Sequence, residues 1–591
     1  MKLERGFIMA NEKNTAKQLK MPKVYNKKKT KRNYERVADV RDLCRVLQKH
    51  GSKVAFSYFG EGRRLQDITY RELYNMILRI AAGLTTMGLS KKRIAILSET
   101  SVEWVASYLA ILATGGVVIP LDRELDIEVI EGFMEQIDAD AIIYSANFNG
   151  KLEHAMKEHP SLKTFIPIKP TDKELALSDK ILPLKEIIEH GYPIASKGYT
   201  LPPVEKREEL AEFLFTSGTT GTSKCVMLSQ KNIFAAVSSA AETVDFGPDD
   251  VIVSLLPIHH TYELACMLAA LDYGIHICIN DSITRVLKNL QLFKPTALVL
   301  VPLYVYTFYK KIWAEAKKSG KDKALKLGIG ASRALRAAGI DKRREIFADV
   351  HEPFGGRLEK IICGGAALNP RMIEFFETIG ISIYEGYGIT ECSPLVAVTP
   401  YYARKFNSVG PAVPCCQIRI DEHSVNDKGY AEGEIQVKGD NVMLGYYKNA
   451  KATANAFTAD GWFRTGDMGY LDEDGYCFIT GRLKTVIVLE NGKNIFPEEI
   501  EEYLGEIEYI AESVVVGRQS GSEVHLVAIA YPDATKFPAN ATKEDMYKEI
   551  QHQINELNKK LPTYKHIKLV ELRDKEFEKT TSRKIKRHLV K

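Results

Sequence analysis

The stretch Thr216-Ser217-Gly218-Thr219-Thr220-Gly221-Thr222-Ser223-Lys224 decides how the rest of this chain is read. It follows the apolar run Leu210-Ala211-Glu212-Phe213-Leu214-Phe215, which reads as a strand. Gly218 and Gly221 relax the backbone, so successive N–H groups can curl round an anion as a nest. The hydroxyls add donors, and Lys224 supplies a point charge. A polyphosphate such as that of ATP suits this chemistry. The loop is not a Walker loop, which ends in a Gly-Lys pair, because Thr222 and Ser223 stand between Gly221 and Lys224. Taken alone, the cluster also reads as a flexible polar linker.

Further along come Ile362-Cys363-Gly364-Gly365-Ala366-Ala367-Leu368 and Tyr384-Glu385-Gly386-Tyr387-Gly388-Ile389-Thr390-Glu391. Then follow Gly461-Trp462-Phe463-Arg464-Thr465-Gly466-Asp467 and Gly481-Arg482-Leu483-Lys484. Together with the opening loop, these motifs in this order resemble the adenylate-forming superfamily of acyl-CoA synthetases, luciferases and peptide-synthetase adenylation domains. The resemblance runs from about residue 60 to the C-terminus and is strongest to bacterial long-chain fatty acid–CoA ligases.

The fold class follows from the strand pattern. The runs Arg93–Leu97, Val117–Pro120 and Ala141–Tyr144 alternate with helical stretches, which argues for α/β layers with mainly parallel strands. Residues 145–209 are polar and punctuated by proline, and are expected to connect two such layers. A second series starts at Phe213 and takes in Val251–Leu256, Ala297–Val301 and Lys360–Ile362, while residues 310–357 are basic and helical in character. From Gly433 the strands look short and antiparallel, in keeping with a β-barrel-like subdomain. Beyond Arg482–Lys484 lie two helices and three strands, enough for an independent core. The expected division is a basic disordered tail at 1–36, a large N-terminal domain at 37–482 and a small α+β domain at 483–591. The resemblance implies that the small domain rotates over the active site.

Composition excludes some classes. A net charge of +5 and a pI near 8.4 are too mild for nucleic-acid binding across a chain of 591 residues. The nine cysteines show no Cys-x-x-Cys spacing, so neither zinc nor a disulfide framework is signalled, and unpaired thiols fit a reducing cytoplasm. The longest apolar runs fall short of the ~20 residues that span a bilayer. The tail, with Lys27-Lys28-Lys29-Thr30-Lys31-Arg32, lacks the apolar core of a signal peptide. Its charge suits contact with anionic lipid at the inner membrane face, and a solvated tail without a partner is the other reading.

The resemblance also assigns residues. Thr216, Ser217, Gly218, Thr219, Thr220, Gly221 and Lys224 would cradle the β- and γ-phosphates of ATP. Glu391, joined by Thr216, would hold Mg²⁺, a hard cation that takes carboxylate and phosphate oxygens. Thr390 would meet the α-phosphate, and Tyr387 offers a flat face to adenine, while Gly365 and Gly386 allow close approach of the backbone. Asp467 can accept both ribose hydroxyls, with Arg482 as the second ribose contact. Lys484 is the expected hinge, and Gly492 would line the pantetheine tunnel of CoA. His260, of the pair His259-His260, would touch the substrate carboxylate or gate its tunnel. Lys584, in Lys579-Thr580-Thr581-Ser582-Arg583-Lys584, would bridge the attacking carboxylate and the α-phosphate, although Glu578 and Arg583 depart from the usual Pro and Gly.

These assignments imply an AMP-forming ligase joining a fatty acid to CoA, with oligomeric state left open. A fatty acyl-AMP ligase serving a carrier protein is the nearest alternative. A non-catalytic nucleotide or acyl-AMP binder is a more distant one.

Overall fold

The computed structural model describes residues 35–216, 223–426, 428–489, 494–520, 523–579 and 585–590. The tail, apart from its last two residues, lies outside this range. So do Ser217, Gly218, Thr219, Thr220, Gly221, Gly492 and Lys584.

Two large sheets form the N-terminal domain. One has seven strands in the order Gly445–Tyr446, Lys224–Ser229, Leu210–Thr216, Val117–Pro120, Arg93–Leu97, Ala141–Tyr144 and Thr164–Pro167. The other has eight, in the order Leu395–Val398, Ser382–Gly388, Lys360–Gly364, Ala297–Leu300, Val251–Ser254, His276–Ile279, Val54–Phe59 and Leu65–Thr69. Central strands such as Ala297–Leu300 are buried along their whole length, as parallel strands covered on both faces require. Helices between them start where capping chemistry places them: Thr69 and Glu72 form a capping box for Tyr70–Thr86, and Ser229 with Asn232 does the same for Gln230–Thr243.

Two expectations need correction. Residues 145–209 are more than a connector: Thr164–Pro167 closes one edge of the seven-stranded sheet, and the helix Leu184–Ser196 packs on Tyr70–Thr86. That crossing is close because Gly83 and Gly191 face it. A Cβ on Gly191 would lie 1.9 Å from the Arg79 carbonyl oxygen, and one on Gly83 would lie 2.1 Å from that of Ile187. The two strand series are also interleaved rather than stacked in chain order. Leu210–Thr216 joins the first sheet through Val118↔Glu212, while the early strand Val54–Phe59 pairs with His276–Ile279 in the second.

A four-stranded antiparallel sheet, Cys416–Val425, Ala431–Gly439, Phe463–Leu471 and Cys477–Arg482, is the unit anticipated as barrel-like, and it begins earlier than Gly433. The small C-terminal domain holds the three-stranded sheet Ile510–Ser520, Glu523–Pro532 and Ile567–Leu572, flanked by the helices Pro497–Leu504 and Lys543–Asn558. It has its own core around Ile500, Leu504, Ile550 and Ile554. It touches the N-terminal domain where the Asn369 amide donates to Glu506 at 2.8 Å and Arg371 pairs with the same carboxylate.

Candidate active site

The carboxyl ends of strands from both sheets open into one cavity of about 3020 Å³. Ligands of open parallel sheets bind at such ends. Thr216, His260, Val301, Gly365 and Glu391 each stand at or just beyond the end of a strand, and each lines this cavity.

At the first sheet, Thr216 and Lys224 are directly paired and close the hairpin whose tip is the glycine-rich loop. The Thr216 hydroxyl donates to the Lys224 carbonyl at 3.3 Å. The Lys224 ammonium lies 4.4 Å from the centroid of the Tyr446 ring, within cation–π range. Tyr446 in turn donates its hydroxyl to Glu391 Oε1 at 2.8 Å. Burial, and then the Glu391 charge, push the Tyr446 phenol far up, so it stays a donor. The Glu391 carbonyl is fixed as well, accepting from the Met443 N–H at 2.8 Å. The hairpin cation and the acidic turn Thr390–Cys392 are thereby linked through one tyrosine that no sequence motif marks.

At the third sheet, Asp467 and Arg482 face each other across neighbouring strands, with Arg482 Nε 3.0 Å from Asp467 Oδ1. The Tyr387 hydroxyl donates to Asp467 Oδ2 at 2.8 Å. The three residues expected round adenine and ribose therefore meet, but Tyr387 is tied by its hydroxyl as well as offering a face. Gly365 has φ +85°, a conformation glycine adopts freely. Gly386 is less constrained, since a Cβ there meets nothing closer than 3.9 Å. The steric demand falls on Gly388, whose Cβ would lie 1.7 Å from the Pro394 carbonyl oxygen.

His260 precedes the helix Thr261–Tyr273 on the cavity wall, its ring 5.8 Å from that of His259. Burial lowers the His259 pKa, with Asp122 at 3.6 Å as a weaker opposing charge. The cavity lining also includes the apolar residues Ala236, Ala240, Ala265, Ala269 and Val299.

Lys484 is exposed, next to a turn in which the Arg482 carbonyl accepts from the Thr485 and Val486 N–H groups. Thr485 then reaches Glu498 at 2.9 Å, the first tie to the helix Pro497–Leu504. The loop that carries Lys584 is closed by the bridge Lys579↔Ile585. Lys579, Ile585, Lys586, Arg587 and His588 line the cavity, and Arg587 pairs with Glu501. Two carboxyls from the two domains have raised pKa values: burial raises Glu385 to about 8, with the Glu502 charge a further cause, and burial raises Glu502 to about 7, with Glu499 and Glu506 as further causes.

A lysine, a carboxylate and an acid paired with arginine gather on one cavity at the strand ends, as in an enzyme that handles a charged ligand, and the chain belongs to the AMP-binding enzyme family. The model of that family matches residues 43–447, and the model of the AMP-binding enzyme C-terminal domain matches 484–591. Among curated relatives, the long-chain-fatty-acid–CoA ligase FadD15 of Mycobacterium bovis is 30% identical over 482 residues, covering 76% of this chain and 75% of the relative. Long-chain-fatty-acid–CoA ligase 6 of Mus musculus is 29% identical over 514 residues, covering 82% and 73%. Among solved structures, the adenylation domain of a carboxylate reductase from Mycobacterium chelonae has a TM-score of 0.76 at 20% identity, covering 99% and 94%. ATP-bound MatB from Rhodopseudomonas palustris has 0.69 at 23%, covering 93% and 98%.

Proposed function

We propose that this protein is an AMP-forming long-chain fatty acid–CoA ligase. The observation that carries the reading is the convergence of Lys224–Tyr446–Glu391 and Tyr387–Asp467–Arg482 on one cavity whose lining also includes His260 and many apolar side chains.

Asp467 and Arg482 hold the ribose, Tyr387 and the backbone at Gly365 and Gly386 receive adenine, and the loop with Lys224 receives the outer phosphates. Thr390 meets the α-phosphate. The fatty carboxylate, held near His260, attacks the α-phosphorus; the P–O bond to pyrophosphate breaks, giving acyl-AMP. Lys584 carries positive charge to the oxygens on which negative charge builds, an effect worth roughly 10²–10³ in rate for one positioned donor. Glu391 and the Thr216 hydroxyl offer the oxygen donors that Mg²⁺ favours. They form no cluster of three acidic, His or Cys ligands among the described residues, so most of the coordination would fall to phosphate and water oxygens. The metal, when bound, neutralises phosphate charge. We take 37–482 and 483–591 as the two domains. Rotation about Lys484 then brings Gly492 to the pantetheine arm of CoA, whose thiolate displaces AMP.

No helix among the described residues is long and apolar enough to cross a membrane. We place the enzyme in the cytoplasm, where its nine free thiols are stable, with the lysine-rich tail as one contact to the inner membrane face.

The test is pyrophosphate release with ATP and Mg²⁺ across fatty acids of increasing length, with and without CoA, for wild type and Lys584→Ala. CoA-dependent turnover that peaks at a long chain and collapses in the variant is expected. Release that needs a carrier protein instead of CoA favours an acyl-AMP ligase. Nucleotide binding without any release favours a non-catalytic binder.

A further inference from the structure

The helical segment from Pro302 to Arg357 carries thirteen Lys or Arg against six Asp or Glu, a net of +7 that exceeds the +5 of the whole chain. Its inner side is pinned to the N-terminal domain. Leu325 is buried, Ser332 donates to the Thr378 carbonyl at 2.8 Å, and Arg343 pairs with Glu377 at 3.1 Å. The outer side of the helix Asp322–Ala337 has the opposite of the usual pattern. Leu327, Ala331, Ala334 and Ala338 recur at helical spacing in one stripe, and all four are exposed. Leu327, at 75% exposure, is the most exposed large apolar side chain among the described residues. Ile340, just past the helix, is 46% exposed.

Beside the stripe stand Lys323 and Lys326, and the preceding helix Pro302–Lys318, which packs against this one, carries Lys310, Lys311, Lys317 and Lys318. All six are exposed and form no ion pair among the described residues. The cations in this segment that do have acidic partners, such as Lys321 with Asp349 and Arg333 with Glu374, are separate from them.

From this surface we infer that the segment is a docking face for an anionic lipid bilayer. A helix that buries a shallow apolar stripe at the headgroup boundary needs cations beside it. Lysines there gain from the surface potential of anionic lipid while their stems lie along the apolar zone. A protein partner would call for other chemistry. Protein interfaces concentrate their energy in Trp, Tyr and Arg seated in pockets, whereas this stripe offers Leu and Ala with no side-chain hydrogen-bonding group. The lysine-bearing helix also reaches the cavity, because Tyr304 in its first turn and Val301 just before it line that cavity. Docking by this face would bring the cavity wall close to the membrane that dissolves amphiphilic acids.

The face is tested with the full chain and vesicles of phosphatidylcholine with or without phosphatidylglycerol, by co-sedimentation at low and high salt. Wild type should bind the anionic vesicles and release them as salt screens the lysines. Leu327→Glu should weaken partitioning roughly tenfold or more, with unchanged circular dichroism and unchanged turnover of a short, water-soluble acid. Leu327→Trp should strengthen it and show blue-shifted emission on the vesicles. Glutamine at Lys27, Lys28, Lys29, Lys31 and Arg32 separates the tail, and the Leu327 effect should persist in that background. Equal partitioning of wild type and Leu327→Glu, or no emission shift in Leu327→Trp, overturns the inference. So does lipid-free self-association that Leu327→Glu abolishes, since the occupant would then be a second copy of this chain. None of these readouts depends on acyl length or on CoA, so failure here is distinct from failure of the proposed ligase reaction.

Discussion

Removing the Tyr446 hydroxyl isolates one bond in the end of the site proposed for phosphate. In Tyr446→Phe the ring stays in place below Lys224, so the 4.4 Å cation–π contact survives. What disappears is a 2.8 Å donation to an ionised carboxylate, worth about 1.5–3 kcal/mol when the partner is charged. Tyr446 is buried, but Glu391 is only half-buried and lines the cavity, which puts the loss near the lower bound. If that energy holds the carboxylate in its working orientation, kcat/KM for ATP should fall about tenfold at ~1.4 kcal/mol per decade. The Mg²⁺ concentration for half-maximal pyrophosphate exchange should rise, while Tm moves by no more than a degree or two. ATP binding followed by thermal shift gives a second readout that does not need turnover. Tyr446→Leu should cost a further ~0.5–2 kcal/mol in ATP affinity, since the cation–π contact goes too. Wild-type metal dependence in Tyr446→Phe, or a fall in Tm large enough to explain its lost activity, would refute the positioning role.

Asp467→Asn should raise KM for ATP by on the order of tenfold or more. It removes the charge that Arg482 pairs with and leaves the Tyr387 hydroxyl and Arg482 Nε facing a weaker acceptor; an unchanged KM would detach Asp467 from the nucleotide. Gly191→Ala should destabilise by several kcal/mol, through overpacking at the 1.9 Å approach to the Arg79 carbonyl, and denaturant unfolding reads it directly. Stability should also depend on pH in a definite direction. Glu385 and Glu502 have folded pKa values raised to about 8 and about 7 from 4.5, so the folded state holds protons the unfolded chain gives up. Their contribution is complete below pH 4.5 and is lost as pH rises through 7 to 8. Interdomain contact, followed by limited proteolysis between residues 484 and 497, should loosen over that window. Glu502→Gln should flatten the dependence; a profile identical to wild type would remove the pair from the interface. The groups facing the pair include Glu499, Glu506 and Cys363, with Lys565 paired to Glu499 and Arg371 to Glu506 as the nearby cations.

Much of the fold was legible because parallel strands buried on both faces leave short apolar runs: Arg93–Leu97, Val117–Pro120 and Ala141–Tyr144 are strands with those bounds. Strand order was not legible. Leu210–Thr216 reads as a strand from its own residues, but nothing in them says that its neighbour is Val117–Pro120, nearly a hundred residues earlier. Thr164–Pro167 was missed for the same kind of reason: four residues ending in proline, among polar neighbours, give period reasoning too little to work on. In the site, motif residues were visible because glycine, acid and lysine at fixed offsets carry their chemistry in the residue type. Tyr446 was invisible because a Gly-Tyr-Tyr stretch is an ordinary strand sequence. Its importance comes from the register Tyr446↔Val226, which sets it beside Lys224. Gly388 was equally hidden, since only the return of the chain at Pro394 shows why a side chain has no room there.

The cross-links at Glu391 explain why register matters so much here. Lys224 and Tyr446 belong to the seven-stranded sheet, whereas Glu391 follows Ser382–Gly388 of the eight-stranded sheet. The Tyr446–Glu391 and Met443–Glu391 bonds therefore span the seam between two separately hydrogen-bonded sheets. A cation and a carboxylate on one sheet would have their spacing fixed by that sheet's own ladder. Placed on two sheets, they keep the right separation only while the seam is closed. The bonds at Glu391, with those of Ser393 and Leu395 to Asn441 close by, help to hold it closed there. A small shift of one sheet against the other costs little apolar burial but breaks those bonds together, so the chemistry should fail before the fold does. On this geometry, substitutions along the seam should act first on the metal and ATP dependence, and those at helix crossings such as Gly191 on unfolding.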